Sequence, residues 1–319
     1  MFKQILEDIQ LISLKRMETP VVYLQPFSKA YIPVPLCEEN FISITSKNTN
    51  EIITFIDGGN TEILKTPDYS LQFLRFAAIS FKNGIRVSQK IKEGYILISA
   101  QNEIVTQSYN LDMQFPSFTL DNPLLKNSDT RTKLNTVANM FRSVYEIHFA
   151  KEIQGIIVLD HSLIPANCIE EKALEELYEI NTEIIGLNKT TALLCNNGES
   201  IISALQNFEK KGMWCYYPLF STQEHAVLSF VKLHPLSKHV FRLEVHTSKT
   251  DHIKEYASIL TSISNDGAFI GYPYGLIIAD QLARVSNKEK ETLQTLFFHQ
   301  AGKEFNTALN AHDILDRMQ

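Results

Sequence analysis

The hydrophobic positions along the chain change period several times, and those changes divide it into elements. MFKQILEDIQLISLK places Phe2, Ile5, Leu6, Ile9 and Ile12 at helical spacing, which predicts an amphipathic helix with a core-facing stripe. A mixed segment follows and ends in FISIT. EIITFID, LQFLRFAAISF and GYILISA are short runs rich in Ile, Phe and Val, bounded by Gly, Asn and Lys, and they predict an antiparallel meander. In DTRTKLNTVANMFRSVYEIHFAKEI the period shifts. Leu134, Val137, Phe141, Val144 and His148 recur every three or four residues, which predicts one long helix. GIIVLD reads as a second apolar strand, IEEKALEELYEINTEII as an acidic helix, and TTALLC, WCYYPL, HAVLSFVKL and VFRLEVH as further strands. The last third reads as the helix DHIKEYASILTSI, a loop, and one long final helix through LIIADQLARVSNKEKETLQTLFF. This order predicts an α/β fold with one central mixed sheet covered by helices. No repeat, low-complexity tract or Pro/Ser linker divides the chain, so one domain over 1–319 is expected: an N-terminal helix and extension (1–50), a core (51–300) and a tail (301–319).

Composition narrows the function classes. With 319 residues, 44% hydrophobic and 21% charged, the chain is an ordinary globular one that can bury a sizeable core. No run reaches the ~18 apolar residues of a membrane helix, and the N-terminal stretch lacks the pattern of a signal peptide, so a cytoplasmic protein without membrane association is expected. Cys37, Cys168, Cys195 and Cys215 lie far apart, with no Cys-x-x-Cys pair, which predicts buried reduced thiols. The net charge of −6 excludes a surface that is basic all round but not a local groove. Lys82, Arg86, Lys90 and Lys92 on a predicted hairpin are one such patch, more simply read as a solvated strand face.

The chemical signal lies in two apolar strands that each finish on an aspartate. Alternation puts Ile53, Phe55 and Asp57 on one face of the first, and Ile156, Val158 and Asp160 on one face of the second. Buried charges require a partner or a metal, so adjacent strands would bring both carboxylates to one lip of the sheet with a cation between them. Hard divalent ions such as Mg²⁺ and Mn²⁺ take oxygen ligands of this kind. Asp57 runs into Gly58 and Gly59, the only Gly-Gly pair among 12 glycines. Without Cβ atoms, this backbone is expected to admit a bulky ligand or a phosphate. Glu146, with Arg142 on the same helical face, and Asp280, with Arg284 at i+4, are further candidate acids; each also reads as a simple ion pair.

Together FIDGGN, the Glu-bearing helix before IIVLDHSL, GLNKT, FRLEV and GYPYGLIIADQLARVSN resemble the ordered motifs of the NurA nuclease family over residues 51 to about 290. That resemblance implies a ribonuclease H-like fold, with a mixed sheet flanked by helices and residues 51–300 as the catalytic core. It implies a metal-dependent DNA nuclease, with 5′–3′ exonuclease and single-strand endonuclease activity. Such an enzyme acts as a homodimer beside a HerA-type hexameric translocase in DNA end resection and double-strand break repair. Asp57, Glu146 and Asp160 would then be metal-binding acids and Tyr272 an active-site residue; Asp280 would join them as a fourth carboxylate in a two-metal Mn²⁺ or Mg²⁺ site. The chain departs from the family twice: His161 follows Asp160 where Gly is usual, and Asp280 stands where the motif often ends in His.

On this reading Lys189, Gly58 and Gly59 are expected to contact the phosphate of the bound DNA. Tyr272 and Tyr274 would stack on bases or bond the backbone. Arg242 shares a strand face with Glu244 and reads as a supporting pair near the DNA. Two other readings compete. DGGNT fits the phosphate loop of sugar-kinase or actin-like ATPases, although no later Gly-Gly turn follows. A non-catalytic scaffold for the translocase is the third.

Overall fold

The computed structural model describes residues 2–6, 20–24, 32–66, 68–123, 134–221 and 226–301. Two sheets are present among them. The larger has 11 strands in the order β3-β12-β13-β14-β10-β9-β4-β5-β6-β7-β8, and the smaller is β11-β1-β2. The strands are β1 (Val21–Leu24), β2 (Ile32–Pro35), β3 (Phe41–Ser43), β4 (Ile52–Lys65), β5 (Tyr69–Lys82), β6 (Ile85–Ala100), β7 (Glu103–Tyr109) and β8 (Phe118–Thr119). After helix α1 (Leu134–Ala150) come β9 (Ile156–Leu159), α2 (Cys168–Ile180), β10 (Ile184–Asn188), β11 (Leu194–Cys195) and α3 (Ile201–Gln206). The chain continues through β12 (Trp214–Ser221), β13 (Ala226–Lys232), β14 (Phe241–His246), α4 (Ile253–Ser262), α5 (Tyr274–Ala283) and α6 (Asn287–Ala301).

β4, β9 and β10 run parallel at the centre, with antiparallel strands on both sides. α1 covers one face, packing Phe141, Tyr145, Ile147 and Phe149 with Ile56, Ile157 and Leu159. α4 and α5 cover the other, packing Tyr256, Leu260, Leu276 and Ala279 with Ile53, Phe55, Ile156 and Val158. The strand alternation read from the sequence therefore sorts side chains to the two faces as expected.

Several local expectations change. β4 does not stop at Ile56 but continues through Gly58 and Gly59 to Lys65, because β5 offers a continuous antiparallel partner from Lys82 to Ser70. The last helical stretch is two helices: Arg284 leaves α5 in an extended conformation (φ −64°, ψ 133°) and α6 begins at Asn287. The acidic helix ends at Ile180, where Asn181 closes it, and Ile184 and Ile185 join the sheet. Residues 2–6 are helical, but Phe2, Ile5 and Leu6 are exposed rather than core-facing, and Ile9 and Ile12 lie outside the described residues. All four cysteines are free thiols, but only Cys195 and Cys215 are buried as expected; Cys37 is partly exposed and Cys168 is exposed. Among the described residues, no helix is long and apolar enough to cross a membrane.

Candidate active site

The parallel register of β4 and β9 pairs Ile56 with Leu159, so Asp57 and Asp160 follow side by side at the same lip of the sheet. β9 ends there and β4 runs on, so Asp57 sits where the strand has lost one neighbour but keeps β5. Asp57 is buried and accepts a 2.8 Å hydrogen bond from the Gly58 N–H. Burial first, then the charge of Asp160 and more weakly that of Asp280, pushes its pKa up to about 6.

Glu146 arrives from the opposite face. On α1 it is buried and held by Arg142, whose Nη1 lies 2.7 Å from Glu146 Oε1 and donates a second bond of 2.8 Å to the Gly58 carbonyl. Burial raises the Glu146 carboxyl well above its ordinary range, with Asp57 and Asp160 adding to the rise and Arg142 opposing it. Asp280 projects from α5, paired with Arg284 at 2.7 Å, and its charge reaches Asp57, Lys189 and Tyr272.

The Gly-Gly pair makes this convergence possible, and in a way the sequence reading did not foresee. A Cβ on Gly58 would come within 2.7 Å of Glu146 Oε1 and of the Phe76 ring. A Cβ on Gly59 would strike the Ala283 carbonyl and Arg284, where α5 ends against β4. Each glycine thus admits a protein element, one from either face. Neither offers the open loop that DGGNT would need as an ATP-binding turn; the motif is strand interior. Gly275 plays the same part on α5, where any Cβ would enter the Phe55 ring.

Lys189, just past the end of β10, bonds Asp160 Oδ2 at 2.5 Å and lies 5.1 Å from the centre of the Tyr272 ring. Burial lowers its pKa, but the charge and hydrogen bond of Asp160 outweigh that and raise it. Tyr272 is almost wholly buried against Phe241 and Phe269, so its ring is closed to a base. Its hydroxyl has no well-formed hydrogen-bond partner; burial, then the charges of Asp160 and Asp57, hold its pKa far above the usual range. Tyr274 is exposed at the start of α5. His161 packs against α1 with Nδ1 3.3 Å from Ser143 Oγ, and burial lowers its pKa.

Arg242 is engaged within the protein. It pairs with the fully buried Glu244 and donates a 3.3 Å bond to Ser162 Oγ. Glu244 accepts from Leu163 N at 2.5 Å and from Ser162 Oγ at 3.0 Å. This network clamps the loop that follows Asp160, a role the sequence signalled only through a glutamate inside the apolar run FRLEV. Of the basic hairpin, Lys90 and Lys92 are engaged by Glu152.

Among the described residues, no three His, Cys, Asp or Glu side chains stand close enough together, as placed, to hold a metal ion. Glu146, Asp160 and Asp280 are each paired with a cation of the protein, Arg142, Lys189 and Arg284 respectively. Protein cations offset a density of negative charge that would otherwise drive the carboxylates apart.

No protein-family model matches the sequence, and no curated protein matches it. Solved structures do. The NurA nuclease from Sulfolobus solfataricus superposes with a TM-score of 0.58 at 11% identity, over 97% of this chain and 96% of that one. The chain has the NurA fold. Endonuclease V from Ciona intestinalis, solved with a 24mer DNA, reaches a TM-score of 0.40 at 13% identity over 78% of this chain and 92% of its own. The catalytic domain of human endonuclease V reaches 0.39 at 10% identity, over 80% and 91%. The mixed sheet with helices on both faces and the NurA-like architecture expected from the motifs are therefore both present.

Proposed function

We propose that this protein is a metal-dependent deoxyribonuclease whose active centre is the lip formed by Asp57, Glu146, Asp160 and Asp280. The observation that carries the reading is the meeting of two strand aspartates in register, one of them buried and pushed up to about 6, with acids delivered from helices on both faces. The NurA fold and the ordered motifs support it.

The donor set suits a hard divalent ion. Four carboxylates supply oxygen ligands only, and an ion held by Asp57 and Glu146 would offset the burial cost that now raises both pKa values. Mn²⁺ or Mg²⁺, bound as a pair, would generate the attacking hydroxide from water and stabilise the leaving oxygen. The protein's own groups position the strand. Lys189 is half-exposed and sits against Asp160, so its ammonium would also lie beside a phosphate bound at this lip. The buried Tyr272 hydroxyl keeps its proton across the working pH range, so beside the acids it would act as a hydrogen-bond donor. Arg242 and Glu244 hold the Asp160 loop in place.

The finer reading follows the family resemblance: 5′–3′ exonuclease action with single-strand endonuclease activity, a homodimer, and work beside a HerA-type hexameric translocase in end resection and break repair. Labelled single-stranded and duplex DNA incubated with Mn²⁺ tests the core of it. Cleavage is expected from the parent and not from Asp57→Ala or Asp160→Ala. Equal cutting by parent and Asp57→Ala would remove these acids from the chemistry, and intact, folded parent that never cuts would favour a scaffold.

A further inference from the structure

A second charged feature lies on the same lip, four strands along from Asp160. The registers place it: Gly186 pairs with Leu159, Asn188 with Arg242, Val231 with Phe241, and Trp214 with Lys232, so the end of β13 and the start of β12 share the edge that carries the acids. At ~4.8 Å per strand, that is roughly 15–20 Å from Asp160. Here a cavity of about 540 Å³ is lined by Gln206, Lys210, Lys211, Trp214, Lys232 and Lys238, among others.

Lys210 is paired with Glu38, but Lys211, Lys232 and Lys238 form no ion pair among the described residues, and Glu209 is the one acid among those lining the wall. Trp214 is 4% exposed, and its indole Nε1–H is buried with no hydrogen-bond partner among the described residues. An orphaned donor and three such lysines lining one cavity suit an acceptor-rich anion. One wall of the cavity packs towards the segment that carries Tyr272: Ser237 lies against Gly271, where a Cβ would be 2.5 Å from Ser237 Oγ.

We propose that this lysine-lined cavity is a subsite for a backbone phosphate of the nucleic-acid strand, several nucleotides from the bond that is cut. The proposal rests on the nuclease reading. The subsite would make cleavage depend on a strand long enough to span both places, since phosphate contacts set register without reading sequence.

The protein contains a single tryptophan, Trp214, which makes the test local. An oligothymidylate of about 15 nucleotides is titrated into the full-length chain in EDTA, following tryptophan emission and, separately, anisotropy of a labelled strand. A saturable emission change is expected. Lys211→Glu with Lys238→Glu should weaken binding on the order of tenfold at low salt. Lys211→Ala with Lys238→Ala should reduce the salt slope by about 1.4, the contribution of two phosphate contacts to a single strand. An unchanged emission together with unchanged affinity and slope in the variants overturns the subsite, as does an emission change produced by inorganic phosphate but not by the oligonucleotide. Those failures leave the nuclease reading standing if the parent still cuts with Mn²⁺; loss of that cutting is a separate result.

Discussion

Replacing Asp57 by asparagine should make this protein more stable, although it removes a residue assigned to the chemistry. The folded state holds the Asp57 proton more tightly than the unfolded chain, with a pKa of about 6 against 3.8. A group whose pKa is raised on folding costs stability as it ionises: the cost is absent below about pH 4, grows between pH 4 and 6, and is complete above that. Two units at ~1.4 kcal/mol each give about 3 kcal/mol at neutral pH. The substituted amide would keep an acceptor for the Gly58 N–H, now 2.8 Å from the carboxylate, while shedding the charge. Thermal unfolding in EDTA at pH 7.5 should therefore show Asp57→Asn melting higher, on the order of 5 °C for a chain of this size. The gain should shrink towards zero at pH 4. An equal or lower melting temperature for the variant at pH 7.5 would show that the Asp57 charge is already neutralised by the surrounding protein, and the argument for a cation-demanding site would fail.

Other substitutions probe the same construction. Gly58→Ala should cost about 1–3 kcal/mol by driving a Cβ into Glu146 and Phe76, measured by urea unfolding, whereas Gly267→Ala, with open space around it, should be near neutral. Glu244→Ala should cost about 2–4 kcal/mol, because it strands a partly buried Arg242 and the Leu163 N–H, and it should reduce cleavage by loosening the Asp160 loop. Lys189→Met should slow cleavage on the order of 100-fold without preventing uptake of Mn²⁺, since it removes the proposed phosphate contact and the present partner of Asp160.

The two strand aspartates were legible in the sequence because period-2 alternation and an abrupt carboxylate are both local signals. Ile53, Phe55 and Asp57 share one face as read, and so do Ile156, Val158 and Asp160. The Gly-Gly pair was visible but its purpose was not. Gly58 and Gly59 are explained only by Glu146 and Ala283, residues far along the chain that no local pattern connects to them. The break between α5 and α6 was hidden because Arg284 to Ser286 carry no Gly or Pro, and helix propensity runs through them. The β4 extension past Asp57 was likewise set by a partner strand, β5, that overrode two glycines. Lys211, Lys232, Lys238 and Trp214 come together from separate segments, and nothing in their spacing marks a cavity.

Calorimetric titration of Mn²⁺ into the metal-free chain and into Asp160→Asn bears most directly on the central claim that these converging acids exist to hold cations. The parent should take up two ions per chain with saturation, and the variant should lose at least one. A parent that shows no saturable uptake, at concentrations where its fold is intact, would contradict the account.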